Sequence, residues 1–271
     1  MSLPLEIAGG SVPGSAHVLA GRNNQDAFCW ARTESGLVAV VCDGCGSSSH
    51  SDVGANVGAR LIAQSAAGLL DARMEPAALL ERVRGDVVAR LRLLATAMSI
   101  EASSDRGSGT ATRYSTTVVE HFLFTAVGVI VDARFATTFA LGDGLIVANG
   151  DHHRLGPFPN NEPPYLGYDL LDKKEHRRPF DVHQPIPRGD LDSLLIGTDG
   201  VLDLDGMAER KLSGREDNVG ALSQFWHDDR FYRNPDMVRR RLTVINRGLR
   251  GGILSDDTTF VVLRRPKGAA S

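Results

Sequence analysis

The chain has 271 residues, 42% of them apolar, and a formal net charge of −3 at pH 7. That length suits one large domain or two small ones. The balanced charge gives no basic footprint for nucleic acid, and no apolar run reaches the roughly 18 residues of a membrane span.

Three cysteines, an odd number, fit free thiols in a reducing compartment better than a disulfide framework. The start, Met1-Ser2-Leu3-Pro4-Leu5-Glu6, lacks a basic region followed by an apolar one. The expectation is a cytoplasmic, monomeric protein with no nucleic-acid or membrane partner. No repeat or linker divides it, so residues 1–271 read as one domain with a core at about 14–265.

In chain order, residues 37–42 read as a buried strand. Ser51 or Asp52 then caps a helix whose apolar stripe is Val53, Val57, Leu61 and Ile62. Pro76 opens a second helix, lined on one face by Leu79, Leu80, Val83, Val87, Leu91 and Leu94. Residues 101–113 are small and polar and read as an exposed loop. Strands are expected at about 115–122, 125–132 and 134–141. A fourth, Leu145–Ala148, follows Asp143-Gly144 as across a hairpin turn. Short connections of this kind imply antiparallel pairing. Residues 150–190, rich in proline, histidine and charge, read as an irregular connection with one strand, a candidate flap over a site. A strand at 192–197 follows. Asn234-Pro235-Asp236 opens a last helix that ends near Gly251-Gly252, and Thr258–Leu263 forms the closing strand.

Four apolar runs carry an acid at one end. Asp43, Asp143 and Asp199 follow their runs and Asp256 precedes its own. Neighbours in an antiparallel sheet reverse direction, so a single edge can hold all four. Glycines at 44, 144 and 200 allow sharp turns and leave carbonyls accessible. Asp199 and Asp203, four apart, share a face if a helical turn forms there. Clustered hard oxygens favour Mg²⁺ or Mn²⁺ over zinc or copper. A lone Asp-Gly step is ordinarily just a turn, and at this level both readings stand. Cys42-Asp43-Gly44-Cys45, with Cys29 and His50, offers zinc or redox chemistry on residue type alone. The place of Cys42 inside an apolar run favours a buried free thiol instead. His152 and His153 read as solvated residues of the flap.

Six motifs stand in order along the chain: Asn24-Gln25-Asp26-Ala27, Asp43-Gly44-x-Gly46-Ser47, Ser115-Thr116-Thr117, Gly142-Asp143-Gly144, Thr198-Asp199-Gly200-Val201-Leu202-Asp203 and Asp256-Asp257-x-Thr259. Together they resemble the PP2C-type metal-dependent protein phosphatases, bacterial members most closely, from about Gly14 to Leu263. The resemblance implies an α+β fold, a four-layer α-β-β-α sandwich of two antiparallel sheets flanked by helices. It also implies hydrolysis of phosphoserine and phosphothreonine by a water activated between two divalent metals, Mn²⁺ or Mg²⁺.

By that resemblance, Asp43 bridges the two ions and Gly44 offers its carbonyl. Asp199 and Asp256 complete the first ion, and Asp26 orients metal-bound water. Asp143 and Asp203, with Asp199, match positions that hold a weaker third ion in some members. Asp257 supports the set where the family often has Asn. Arg22 is the candidate for gripping the substrate phosphate, with a surface ion pair as the other reading. The implied partner is a phosphoprotein, the target of a serine/threonine kinase. Two positions depart from the pattern: Gln25 stands where an acid is common, and Cys45 where many members place a histidine. They keep open a catalytically weak or inactive regulatory module that binds a phosphoprotein or a kinase. Hydrolysis of a small phosphoester is a third reading.

Overall fold

In the computed structural model, which describes residues 5–100, 110–171, 177–248 and 252–266, β-branched and small apolar runs form most of the strands. In chain order these are β1 (Glu6–Val12), β2 (Asp26–Arg32), β3 (Leu37–Asp43), β4 (Ala126–Val131), β5 (Phe135–Leu141) and β6 (Gly144–Ala148). After them come β7 (Asp151–Leu155), the two-residue β8 (Asp181–Val182) and β9 (Ile186–Pro187), β10 (Ser193–Gly197) and β11 (Thr258–Arg264). The longer helices are α2 (Ser51–Leu69), α3 (Pro76–Met98) and α4 (Thr110–His121), after a short α1 (Ser15–Ala20). Four shorter ones follow: α5 (Gly200–Gly206), α6 (Gln224–His227), α7 (Arg230–Arg233) and α8 (Met237–Ile245).

The strands divide into two antiparallel sheets, ordered β1-β11-β10-β6-β7 and β2-β3-β4-β5-β8, with β9 also on β5. Alternation along β3 shows why both faces are apolar. Val38, Val40 and Cys42 point to the helical layer with Ile62, Leu80 and Val83, while Ala39 and Val41 meet Val129, Ile196 and Val261 of the inter-sheet core. On the far side, Leu195, Phe260 and Val262 pack against Val201, Phe225, Val238 and Leu242. The four layers implied by the resemblance are present. Among the described residues, no helix is long and apolar enough to cross a membrane.

Several expectations need correction. Residues 115–122 are not a strand: residues 110–121 form α4. Their β-branched residues favour a strand in isolation, but Val118 and Phe122, which follows the helix and donates its N–H to the Val118 carbonyl at 2.9 Å, are both fully buried. Burial overrides the local preference. Residues 101–109 lie outside the described residues, while 110–113 belong to α4 rather than to a loop. The Asp143-Gly144 step is no hairpin turn. It carries the chain from β5 in one sheet to β6 in the other, with Gly142 and Gly144 at φ 103° and 143°. The last helix is shorter than expected, Met237–Ile245, and residues 249–251 lie outside the described set.

The flap contains β7, paired with β6, the two-residue β8 and β9, both paired with β5, and two 3₁₀ turns. Arg84 of α3 pins the flap through Asp169, 2.6 Å away, with both side chains buried. Arg177 adds a second contact to Asp169 at 3.2 Å.

Asp257 ties the two sheets together. It is 2% exposed, and its carboxylate accepts the backbone N–H of Gly14 at 2.7 Å and of Gln25 at 2.6 Å. His17 Nδ1 lies 2.8 Å from the same group. One side chain thus joins the start of β11 to the chain entering α1 and to the residue before β2. Asp257→Ala would orphan two backbone donors at about 1–3 kcal/mol each. Urea unfolding should show a loss of about 2 kcal/mol or more, and Asp257→Asn a smaller one. An unchanged midpoint for Asp257→Ala would contradict the clamp.

Candidate metal centre

Strand register delivers the acids. Asp43, the last residue of β3, is paired directly with Asp26, the first of β2. Asp199 follows β10 and sits at the start of α5, with Asp203 in the first turn of that helix. Asp143 occupies the crossing between β5 and β6, and Asp256 stands just before β11. Gly200 is needed for close approach, since a Cβ there would come within 1.9 Å of the Asp257 carbonyl oxygen. The acids are graded by depth: Asp26 is buried, Asp43, Asp143 and Asp199 are partly buried, and Asp203 and Asp256 lie exposed at the rim.

These groups feel one another. Burial, then Asp26, Asp199, Asp256 and Asp143, push the Asp43 carboxyl well above its ordinary range. Burial, then Asp257 and Asp199, do the same to Asp26, against hydrogen bonds from Thr198 and Thr259. Asp199 is pushed up to about 7 by burial, Asp256, Asp143 and Asp203. Asp143 and Asp256 are also raised, burial being the largest cause in each. The predicted acids therefore do converge on one end of the sandwich.

The surrounding polar groups are fixed by hydrogen bonds. Thr198 Oγ1 donates to Asp26 Oδ2 at 2.7 Å, and the Thr259 N–H donates to Thr198 Oγ1 at 3.2 Å. Ser255 Oγ donates to Asp203. Arg22 is exposed and donates to the Gly46 carbonyl at 2.6 Å, which places it against the loop that follows Asp43-Gly44. Gln25 is 2% exposed; its Nε2 donates to the Ser48 carbonyl at 2.9 Å, while its buried Oε1 has no partner among the described residues. Cys45 Sγ lies 3.1 Å from Ser47 Oγ. Burial pushes that thiol up, but hydrogen bonds from Ser47, Tyr165 and Ser48 outweigh it and leave the thiol below its usual range.

One candidate ligand was not legible in the sequence. His17, Asp256 and Asp257 each place a ligand atom within 4.8 Å of the others, a spacing able to hold a metal ion. His17 belongs to no motif, and only the fold brings α1 to the start of β11. Asp257 is already engaged with two backbone donors and with His17 Nδ1 at 2.8 Å, and Asp256 Oδ1 accepts the Asp257 N–H at 2.8 Å. Among the described residues, no cysteine joins such a group, and Cys29, Cys42 and Cys45 are free thiols. His152 and His153 lie exposed on β7, His152 3.0 Å from Asp205.

The family model for Protein phosphatase 2C matches residues 13–231. The chain belongs to the protein phosphatase 2C family. Its fold is similar to that of a bacterial serine phosphatase at 14% identity and TM-score 0.51, covering 98% of this chain and 100% of that one. It is also similar to the serine/threonine phosphatase Stp1 from Staphylococcus aureus, at 15% identity and TM-score 0.50, covering 97% of each chain. The S. agalactiae serine/threonine phosphatase is similar at 16% identity and TM-score 0.51, covering 97% of this chain and 100% of that one. No curated protein matches. At these identities the structures share the fold. The family match ends before Asp256, which the fold alone carries to the other acids.

The donor set fits hard divalent cations: every predicted ligand is an oxygen, and the carboxyls raise one another's pKa. The same shifts fix a sign for stability. Folded-state values lie above the ordinary carboxylate value, so the folded chain binds more protons than the unfolded one between about pH 4 and the Asp199 value of about 7. This contribution is fully present below the unfolded pKa and is lost as pH rises through the window. Metal-free protein should therefore melt higher at pH 5.5 than at pH 7.5, with a shallower dependence in Asp199→Asn. Mn²⁺ should raise the melting temperature more at the higher pH. A metal-free profile that climbs toward pH 7.5 would contradict the cluster's electrostatics.

Proposed function

We propose that this chain hydrolyses phosphoserine and phosphothreonine in proteins, using Mn²⁺ or Mg²⁺ held at the acidic end of the sandwich. The observation that carries the reading is the convergence of Asp26, Asp43, Asp143, Asp199 and Asp256, each with its carboxyl pKa raised by burial and by neighbouring acids. Asp43, the Gly44 carbonyl, Asp199 and Asp256 would hold two ions, with Asp26 behind them. Asp143 and Asp203, with Asp199, would hold a looser third. Ions bound there would lower the pKa of a shared water toward neutrality and neutralise phosphoryl charge.

The chain's own groups orient and bind. Thr198 fixes one oxygen of Asp26 and so aims the other. Gln25 Oε1, buried and without a partner among the described residues, is a neutral acceptor available to a water proton. Arg22, held against the Gly46 carbonyl, would offer a guanidinium suited to a phosphoryl group. The flap supplies walls for the peptide around the phosphorylated residue. A cavity of about 700 Å³ lies between it and the end of β5, bounded by Leu141, Gly142, Gly156, Phe158, Pro164 and Tyr168. Gly156 packs toward Asp143, so this cavity adjoins the acids. The substrate class is a cytoplasmic phosphoprotein made by a serine/threonine kinase, acted on by a monomer.

A non-catalytic module that binds a phosphoprotein or kinase is the second reading, favoured by the neutral Gln25 and by Cys45. One variant separates the two. With Mn²⁺, the wild-type protein should hydrolyse p-nitrophenyl phosphate and phosphothreonine peptides, and Asp199→Asn should lose on the order of 10- to 100-fold or more in metal affinity or turnover. Intact substrates after incubation with Mn²⁺-loaded wild type would sink the enzyme reading, and partner binding retained by Asp199→Asn would then favour the module.

A further inference from the structure

A second concave site lies on the outer side of the β1-containing sheet, and it has the opposite charge. Arg215 from the segment after α5, Arg230 of α7, and Arg240 and Arg241 of α8 converge on a cavity of about 500 Å³ together with Asp217 and Asp228. None of these residues belongs to the acidic centre. Four guanidiniums face two carboxylates, in a chain whose net charge is −3.

Internal pairing does not cancel the excess. Arg230 is engaged by Asp228 at 2.6 and 2.8 Å. Among the described residues, Arg241 donates only to neutral acceptors: Gln224 Oε1 at 2.9 Å and the carbonyls of Val219 at 2.8 Å and Asn218 at 3.3 Å. Those bonds hold its guanidinium plane in place without neutralising it. Burial, then Arg230, pull the Arg241 pKa below its usual value, and Arg215 adds to this against Asp217. Arg215 and Arg240 make no ion pair among the described residues.

A purely structural role, bracing residues 218–219, accounts for Arg241. It does not account for Arg215 and Arg240 being gathered around it. Like charges are brought together at a cost that an anion in the cavity would offset. Guanidinium forks match carboxylate and phosphoryl oxygens in geometry. Phe231, Met237 and Val244 give the same cavity an apolar wall, which suits the side chains of a polypeptide better than a free inorganic ion.

We propose that this cavity is a second binding site, separate from the metal centre, for an acidic segment of a protein whose clustered carboxylates or phosphoryl groups meet the arginines. The site would tether a partner independently of any hydrolysis, so the inference does not rest on the phosphatase reading.

The test titrates Mn²⁺-loaded protein with two labelled peptides. One is rich in Glu and Ser; in the other, non-hydrolysable phosphonate analogues of phosphoserine replace the Ser residues. Arg215→Glu combined with Arg240→Glu, both at exposed positions, should weaken binding about tenfold or more. Its rate on p-nitrophenyl phosphate should match the wild type, and Asp199→Asn should keep the peptide affinity. A loss confined to the phosphonate peptide identifies phosphoryl groups as the ligand; a loss for both shows that carboxylates suffice, and either supports the site. The proposal is overturned if wild type binds neither peptide or if the double variant binds both as tightly. It is equally overturned if a single-stranded RNA of equal charge loses affinity to the same extent, which would reveal undirected electrostatics.

Discussion

Carboxylates gathered at one end of a β-sandwich repel one another, and partial burial deepens the penalty by removing the water that would screen them. Here Asp43 feels four other aspartates and Asp199 feels three. Such an arrangement is stable only with protons or cations among the acids. The depth gradient, from buried Asp26 to exposed Asp203 and Asp256, opens the cluster toward solvent, from which either can enter.

The rest of the fold holds these groups against their repulsion. Three apolar layers lie in and around the sheets, and the strands that carry the acids run through them. Asp257 does not join its neighbours in facing solvent; it clamps Gly14 and Gln25 and so fixes the ends of both sheets. Thr198 then locks Asp26 from the opposite sheet. The long helices cover one face, and the short C-terminal helices that cover the other also present the arginine cavity.

Much of this was readable from residues alone, for identifiable reasons. Runs such as 37–43 and 258–264 are buried on both faces, so they appear as unbroken apolar stretches bordered by acids. The helices from Ser51 and Pro76 were legible in outline, but His50 rather than Ser51 or Asp52 stands at the first N-cap. Val53, Val57 and Leu61 are only partly buried beside the buried Gly54, Ala55, Gly58, Ala59 and Ile62, and Leu94 is exposed. Other elements gave no such signal. Glycines interrupt β1 at Gly9 and Gly10, and β7 is an exposed edge strand whose Asp-His-His-Arg run has no apolar face. The segment 115–122 misleads because its threonines and valines suit either structure, and only the burial of Val118 and Phe122 selects a helix. Within the site, most of the acids were legible because they adjoin a strand, and Asp203 because it lies four residues after Asp199. His17 was not, since a lone histidine on a short helix acquires meaning only from what the fold places beside it.

The central claim is that the acidic end of the sandwich is a multi-ion site organised by Asp43. Equilibrium dialysis with Mn²⁺, counting bound ions per chain in wild type and in Asp43→Asn, tests it most directly. The expected result is two tightly bound ions in the wild type, with further weak binding at high concentration, and loss of the tight pair in the variant. A wild type that binds no Mn²⁺, or a variant that retains the full complement, would contradict it.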